Sequence, residues 1–316
     1  MSGMIAITSR ENPHIKAAVR LRVSAAERCA LGKFFLEGFR LCADALESGY
    51  APDELYLTAA AREKYGTAPL ERAAGQVFEV SEGVARKLAD TQHPQGVFAV
   101  CGGNPPPVET HCCASPDKKA VFRSETHSQK EETHSQKEET HSSASLQTGG
   151  KYIALENLQD PGNLGAVART AEALGLDGLI AGSGCDPYHP KALRVSMGAL
   201  LRLPVLRTDD LPAALRESAL PCYAAVPDRD AQSVAACDFR SGGIVVIGSE
   251  GHGLTPEAIA ACEHRITIPM AGRAESFNAA AAATILMWEM VRGSAAVRYN
   301  CQSAQPLRGA FLSHPR

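Results

Sequence analysis

The 316-residue chain lacks the features that assign a sequence to several common classes of protein. It contains no run of 18 apolar residues, so we expect no helix that crosses a membrane. Its start has no basic segment followed by an apolar run, which argues against a secretory signal. Its ten cysteines form no Cys-x-x-Cys pair, which disfavours a zinc site or a disulfide framework. Single cysteines of this kind are typical of reduced thiols in the cytoplasm.

The chain also lacks a large excess of charge of either sign, with a net charge of −3. Any contact with nucleic acid must therefore come from a local patch. Residues 1–40 hold seven Lys/Arg against three Asp/Glu. This local excess favours phosphate contacts, although Arg20, Arg22 and Arg28 would also suit an ordinary solvated helix face.

Composition divides the chain into four segments. We predict a small α/β domain over residues 1–103, a disordered insert over 104–150, a second α/β domain over 151–293 and a loose tail over 294–316. The insert repeats the heptapeptide Glu-Thr-His-Ser-Gln-Lys-Glu from Glu125 and again from Glu132. No apolar residue occupies a repeat position, so neither a packed core nor a coiled coil is expected. Histidines seven residues apart in such a segment make a poor metal site, and we expect no metal.

The secondary structure of the two domains is read from their apolar patterns. In the first domain the helical spacing predicts one helix from Arg28 to Ser48, ended by Gly49. Strands are expected at 55–57, 77–80 and 96–100, with a helix at 84–88. In the second domain, continuous apolar strands at 152–155, 178–181, 222–226, 244–248 and 265–268 alternate with helices, among them 164–174 and 278–291. This alternation predicts a mostly parallel sheet covered on both faces.

Three polar loops follow strands of the second domain. The first precedes the helix at 164–174, and we expect Asn163 to cap that helix, with Arg169 six residues further along it. The second, from Gly248 to Leu254, is rich in glycine but is neither a dinucleotide fingerprint nor a phosphate loop. The third, from Ile268 to Asn278, brings Ser276 and Asn278 to the start of a helix. Each loop alone suits an ordinary turn or cap, whereas three loops at strand ends of one sheet predict a binding site.

These motifs resemble those of the SpoU (TrmH-type) branch of the SPOUT RNA methyltransferases. The resemblance covers the whole second domain. Three family motifs correspond to residues 156–170, 246–254 and 268–280, and a further family-like segment spans 190–199. The first domain more loosely resembles a small RNA-binding domain similar to ribosomal protein L-thirty-e. Its cues are 9–16, 35–38 and 91–97.

The resemblance implies a fold, a cofactor and a set of site residues. It implies a trefoil knot at the C-terminal end of the catalytic domain, which spacing alone could not have indicated. It implies that S-adenosyl-L-methionine is the cofactor, that RNA is the substrate and that the chain forms a homodimer through the knotted domain. The implied cofactor-binding residues are Gly248, Ile268, Met270 and Phe277. The implied catalytic residues are Arg169, Asn163, Glu250, Ser276 and Asn278.

The expected reaction is methylation of a ribose 2′-hydroxyl, in ribosomal RNA or, as the alternative, in transfer RNA. Because arginine is locked as a cation, we expect Arg169 to orient the ribose phosphate and stabilise charge, and to remove a proton only transiently if at all. One rival hypothesis is an RNA-binding protein without catalysis, which the complete set of polar site residues disfavours. A second is a nucleotide-dependent enzyme on a Rossmann-like sheet, which the missing motifs disfavour.

Overall fold

A computed structural model describes residues 4–102, 146–147 and 149–292. The predictions of a disordered insert over 104–150 and of a loose tail over 294–316 lie almost entirely outside these residues. Within the described ranges, no helix is both long enough and apolar enough to cross a membrane.

Residues 4–102 form a domain with a five-stranded mixed sheet. The strand order is β1-β4-β3-β5-β2, with β1, β4 and β3 parallel and β5 antiparallel to both β3 and β2. Its elements are β1 (Ile5–Ile7), α1 (Pro13–Val23), α2 (Ala25–Leu31), β2 (Lys33–Glu37), α3 (Phe39–Glu47), β3 (Pro52–Leu57), α4 (Ala59–Tyr65), α5 (Ala68–Ala73), β4 (Gln76–Val80), α6 (Glu82–Leu88) and β5 (Val97–Gly102).

The prediction of one helix from Arg28 to Ser48 is wrong, because strand β2 interrupts it. Gly32, in the left-handed conformation (φ 59°), ends α2 before the strand begins. Phe34 and Phe35 then point to opposite faces of the sheet and join different apolar clusters. A strand buried on both faces explains three consecutive apolar residues, which helical spacing does not require. Gly49, at φ 90°, follows the end of α3 as predicted.

Residues 149–292 form a second domain around a seven-stranded sheet in which every pairing is parallel. The strand order is β10-β12-β9-β11-β6-β7-β8, which confirms the predicted parallel α/β architecture. Its elements are β6 (Lys151–Leu155), α7 (Pro161–Leu174), β7 (Gly178–Ala181), α8 (Pro190–Val195), β8 (Val205–Arg207), α9 (Leu211–Glu217), β9 (Cys222–Ala225), β10 (Gln232–Ser233), β11 (Gly243–Ile247), α10 (Pro256–Ala260), β12 (His264–Thr267) and α11 (Ala279–Val291), with 3-10 turns at Ala199–Leu201 and Val234–Ala236.

Helix α7 begins three residues earlier than predicted. Asp160 is its N-cap, accepting a hydrogen bond at 3.1 Å from the backbone N–H of Gly162, and Pro161 occupies the first helical position. The prediction that Asn163 caps this helix is therefore wrong. Proline and an aspartate side chain together make the stronger start signal, and the amide of Asn163 is left for other contacts.

The two domains share one apolar core. Buried residues of β2, α3 and β3 belong to the same cluster as buried residues of α7, α8 and β6. Across this junction the rings of Phe34 and Tyr188 stack with centroids 5.5 Å apart. A buried ion pair also crosses it, from Arg28 Nε to Asp186 Oδ2 at 2.6 Å. The Arg28 guanidinium additionally donates to the carbonyl oxygen of Leu21 at 2.7 Å, so its charge is well compensated.

Candidate active site

Three loops meet at the edge of the second sheet where its parallel strands end. The first loop (156–160) follows β6, the second loop (248–254) follows β11 and the third loop (268–278) follows β12. Ligands of open α/β sheets bind at this edge, because loops there can surround a ligand while the strands hold them in place.

The second loop is a tight turn that only glycine allows at its first position. Its backbone folds back so that the N–H of Gly253 donates to the carbonyl oxygen of Ser249 at 2.9 Å. A Cβ on Gly248 would lie 2.0 Å from the carbonyl carbon of Gly253, far inside van der Waals contact. The missing side chain at Gly248 therefore lets the two sides of the turn lie in contact.

A buried carboxylate joins the first loop to the end of the second. Glu156 is 5% exposed and accepts hydrogen bonds from the backbone N–H and the hydroxyl of Thr255, at 2.8 and 2.7 Å. Its own N–H donates to the carbonyl oxygen of Ile247 at 2.8 Å. Sequence reasoning did not identify Glu156 as a site residue, although a carboxylate directly after an apolar strand is an available signal.

Asn163, in the helix that follows the first loop, connects the second and third loops. From the first turn of α7, its Nδ2 donates to Oε1 of Glu250 in the second loop. Its Oδ1 accepts a hydrogen bond from Nδ2 of Asn278 at 3.3 Å. Asn278 is also the N-cap of α11, since its Oδ1 accepts from the N–H of Ala280 at 3.0 Å. Three of the predicted site residues thus form one hydrogen-bonded chain.

A cavity of about 440 Å³ opens between the second and third loops. This volume lies within the usual range for sites that bind small ligands and cofactors. Six of the nine predicted site residues line it, namely Gly248, Glu250, Ile268, Met270, Ser276 and Phe277. Apolar side chains of β9, β11 and α11 form its floor.

The charge of the cavity wall is negative. Glu250 and Glu275 contribute carboxylates, and the residues that line the cavity in the described part of the chain include no lysine or arginine. A site of this kind favours a ligand that carries positive charge, because each carboxylate interacts favourably with a nearby cation. Across residues 4–102, 146–147 and 149–292, no three side chains of His, Cys, Asp or Glu come together as metal ligands would.

Arg169 lies apart from this cavity within a single chain. It is exposed on α7, two turns beyond the first turn that carries Asn163. Its side chain makes no hydrogen bond or ion pair with any residue that the structure describes. The structure thus brings together Asn163, Glu250 and Asn278, with Ser276 at the cavity wall, but not Arg169.

Both domains match known families. Residues 150–288 match the SpoU rRNA methylase family, and residues 12–99 match the MRM3-like substrate binding domain. An uncharacterized tRNA/rRNA methyltransferase of Synechocystis is 31% identical over 302 residues, which cover 92% of this chain and 95% of the relative. The 23S rRNA (guanosine(2553)-2′-O)-methyltransferase RlmP of Bacillus subtilis is 27% identical, with 90% of this chain and 98% of the relative covered.

A solved structure supports the same assignment. The AdoMet-bound rRNA methyltransferase of Sinorhizobium meliloti superposes with a TM-score of 0.69 at 25% identity, covering 92% of this chain and 98% of the other. The similarity therefore extends through both domains, and the matched residues 150–288 include all three loops at the sheet edge. The chain is an RNA methyltransferase that belongs to the SpoU rRNA methylase family.

Proposed function

We propose that this enzyme transfers the methyl group of S-adenosyl-L-methionine to a ribose 2′-hydroxyl of ribosomal RNA. The observation that carries the proposal is the cavity between the second and third loops, beside the hydrogen-bonded chain of Asn163, Glu250 and Asn278. The names of relatives support the substrate, since RlmP acts on 23S rRNA at a ribose oxygen. Transfer RNA is the second candidate, because the Synechocystis relative carries both RNA types in its name.

The residues of the cavity fit this cofactor. S-adenosyl-L-methionine supplies an electrophilic methyl group on a positively charged sulfonium. The carboxylates of Glu250 and Glu275 favour that charge, and the backbone of Gly248 lines the cavity. Ile268, Met270 and Phe277 provide apolar walls for a flat ring. We therefore assign six residues to cofactor binding, namely Gly248, Ile268, Met270, Phe277, Glu250 and Glu275.

The polar residues beside the cavity would position the ribose. Asn163 and Asn278 hold each other and Glu250 in fixed orientations, so their remaining donors and acceptors are preorganised toward an incoming hydroxyl. Ser276 adds a hydroxyl at the cavity wall. Arg169 would bind the ribose phosphate and stabilise developing charge as a permanent cation, because guanidinium does not deprotonate readily.

We also propose that the enzyme is a homodimer whose active site draws Arg169 from the second copy. Helix α11 presents Ala281, Thr284 and Trp288 on one exposed stripe, with the Trp288 side chain 47% exposed. Phe277, just before this helix, is 40% exposed. Large exposed apolar side chains next to a site favour an interface, and a second copy would cover them. An Arg169 that has no partner among the described residues of its own chain suits a residue that acts across that interface.

Three further features are part of the proposal. A trefoil knot at the C-terminal end of the catalytic domain follows from the family resemblance. The segment boundaries at 103, 150 and 293 remain predictions. A cytoplasmic location is consistent with free thiols at all seven cysteines in the described part of the chain.

The test is methylation of RNA taken from cells that lack the gene. Purified ribosomal and transfer RNA are incubated with the protein and labelled S-adenosyl-L-methionine, and resistance to alkaline cleavage maps any methylated ribose. Label at one ribosomal position is the expected result. Label in transfer RNA alone would establish the second candidate, and no label in either RNA would refute ribose methylation.

A further inference from the structure

A second cleft, of about 370 Å³, lies at the junction of the two domains and is separate from the methyl-transfer cavity. The first domain contributes the start of α3 and the segment before β5, and the second contributes the end of α8 and the turn after it. The residues that line it are Glu37, Gly38, Arg40, Leu41, Asp44, Thr91, His93, Gln95, Arg194 and Met197. None of them belongs to the site described above.

The walls of this cleft are held in place by a buried carboxylate. Glu37 accepts hydrogen bonds from the N–H of Asp90 at 2.8 Å and from the hydroxyl of Thr91, and it pairs with Nη1 of Arg194 at 3.5 Å. Arg194 also binds Asp90 at 2.6 Å. Gln95 accepts from the N–H of Phe39 at 2.9 Å, which fixes the same segment to the start of α3. These contacts hold the walls of the cleft together within the protein, and Nη1 of Arg194 is buried beside Glu37 without a hydrogen bond to any residue that the structure describes.

The groups that face the open cleft are of the kind that bind an unpaired nucleotide. Arg40 and His93 are exposed and make no hydrogen bond or ion pair with any residue in the described ranges. The Asp44 carboxyl lies in the same cleft as an acceptor, and its partial burial raises its pKa. Guanidinium and imidazole planes stack on bases, and a carboxylate accepts hydrogen bonds from base amino groups.

Met197 supplies an apolar surface in the cleft, and its backbone conformation is strained. It is 39% exposed and adopts a left-handed conformation, with φ 52°. Such a conformation is uncommon for a residue other than glycine and tends to occur at functional sites. A flexible thioether side chain adapts well to a flat ligand. A purely structural turn would be served better by glycine.

The cleft is connected to the methyl-transfer site through α8. Lys191 Nζ, near the start of this helix, binds Oδ1 of Asp160 at 2.6 Å, and Asp160 caps α7 just before Asn163. Arg194 is one turn further along α8, a rise of about 4.5 Å. Arg194 in the cleft wall is therefore separated from Asn163 by three residues of α8, the Lys191–Asp160 ion pair and three residues of α7.

We infer that this interdomain cleft binds an unpaired base of the RNA substrate that is close in sequence to the methylated ribose, with the base against Met197 and its polar edge toward Arg40, Asp44 and His93. The inference rests on the proposed function. It assigns to the junction a part in choosing which ribose is methylated, in addition to whatever backbone contacts the first domain makes.

The test uses the full chain and RNA from cells that lack the gene. Met197→Gly removes the side chain at a position whose φ suits glycine, and His93→Ala removes an exposed imidazole, so both variants should stay folded. Arg72→Ala, an exposed arginine of α5 outside the cleft, is the matched control. The KM for RNA should rise about tenfold in each cleft variant but not in the control, with the affinity for S-adenosyl-L-methionine unchanged.

A second readout separates base recognition from simple charge attraction. Transcripts with single substitutions within three nucleotides of the methylated one are compared as substrates. The wild-type enzyme should discriminate among them, and Met197→Gly should lose discrimination at one position. A rise in KM that is equal for all transcripts would overturn the inference in favour of a backbone contact. If the wild type methylates RNA and both cleft variants have the same KM for RNA as Arg72→Ala, the base subsite alone is disproved. If the wild type methylates no RNA, both the proposed function and the subsite are disproved.

Discussion

The turn at Gly248 offers a sharp test of how the cavity is built. In Gly248→Ala, the new Cβ would lie 2.0 Å from the carbonyl carbon of Gly253, 2.1 Å from its oxygen and 2.3 Å from the amide nitrogen of Leu254. Carbon atoms in ordinary contact are about 3.5–4.0 Å apart. Because all three clashing atoms belong to the backbone, no side-chain rotation relieves the clash. The turn must open by about 1.5 Å to restore that separation.

The size of the effect follows from this displacement. A misplacement of about 1 Å in an active site can lower the reaction rate on the order of 10²-fold. We expect a loss of the same order in cofactor binding, so that the Kd for S-adenosyl-L-methionine rises about a hundredfold, which corresponds to about 2.8 kcal/mol. Isothermal titration calorimetry of the purified variant measures this change directly.

Gly272→Ala, in the third loop, is the matched control. Its ideal Cβ has no heavy atom within 4 Å, its φ is not in the left-handed region and it does not line the cavity, so it should bind the cofactor like the wild type. Thermal unfolding of both variants shows whether the fold survives. If Gly248→Ala binds the cofactor within threefold of the wild type, the two sides of the turn do not lie as close together as described. If both substitutions weaken binding equally, the effect does not depend on the clash at position 248.

Three further substitutions test the other parts of the site. Arg169→Lys should lower kcat by about 10²-fold while leaving the Kd for S-adenosyl-L-methionine unchanged, since a planar guanidinium is replaced by a point charge; near-full turnover would exclude a guanidinium role. Trp288→Glu should shift the protein from dimer to monomer in analytical ultracentrifugation and abolish turnover, because it places a charge in the proposed interface; an unchanged dimer would place the interface elsewhere. Glu156→Gln should lower the free energy of unfolding by about 1–3 kcal/mol, measured by urea titration. The reason is that one of the two carboxylate oxygens that accept hydrogen bonds from Thr255 is replaced by an amide nitrogen, which cannot accept. Exposed Glu257→Gln, on the neighbouring helix, should change stability little, and an equal loss in both variants would contradict the special role of Glu156.

Patterns of apolar residues predicted the architecture of the second domain well. Its five expected strands are all present, because strands buried on both faces read as continuous apolar runs whatever their neighbours are. The first domain was harder, since Phe35, Phe39 and Cys42 also fit a helical repeat. What separated strand from helix there was the pair of glycines at 32 and 38, both with positive φ.

Long-range pairing explains what the sequence could not show about the site. Glu156 and Thr255 are 99 positions apart, and Asn163 and Asn278 are 115 apart. Local patterns predicted that these residues follow strands, and the parallel sheet then brings their loops to one edge. Which side chains pair across that edge depends on how far each loop extends beyond the ends of the strands, and no local sequence pattern encodes this. The cleft at the domain junction was missed for the same reason.

The common core of the two domains, with the Arg28–Asp186 ion pair inside it, has a consequence for how the enzyme loses its structure. Domains joined only by a tether melt one after the other, whereas domains that bury a single apolar cluster between them depend on each other to stay intact. Heat or a mutation that loosens the substrate-binding half should therefore also dismantle the methyl-transfer half, far from the point of damage. Selection on catalysis would then act on residues of the first domain that touch neither RNA nor cofactor.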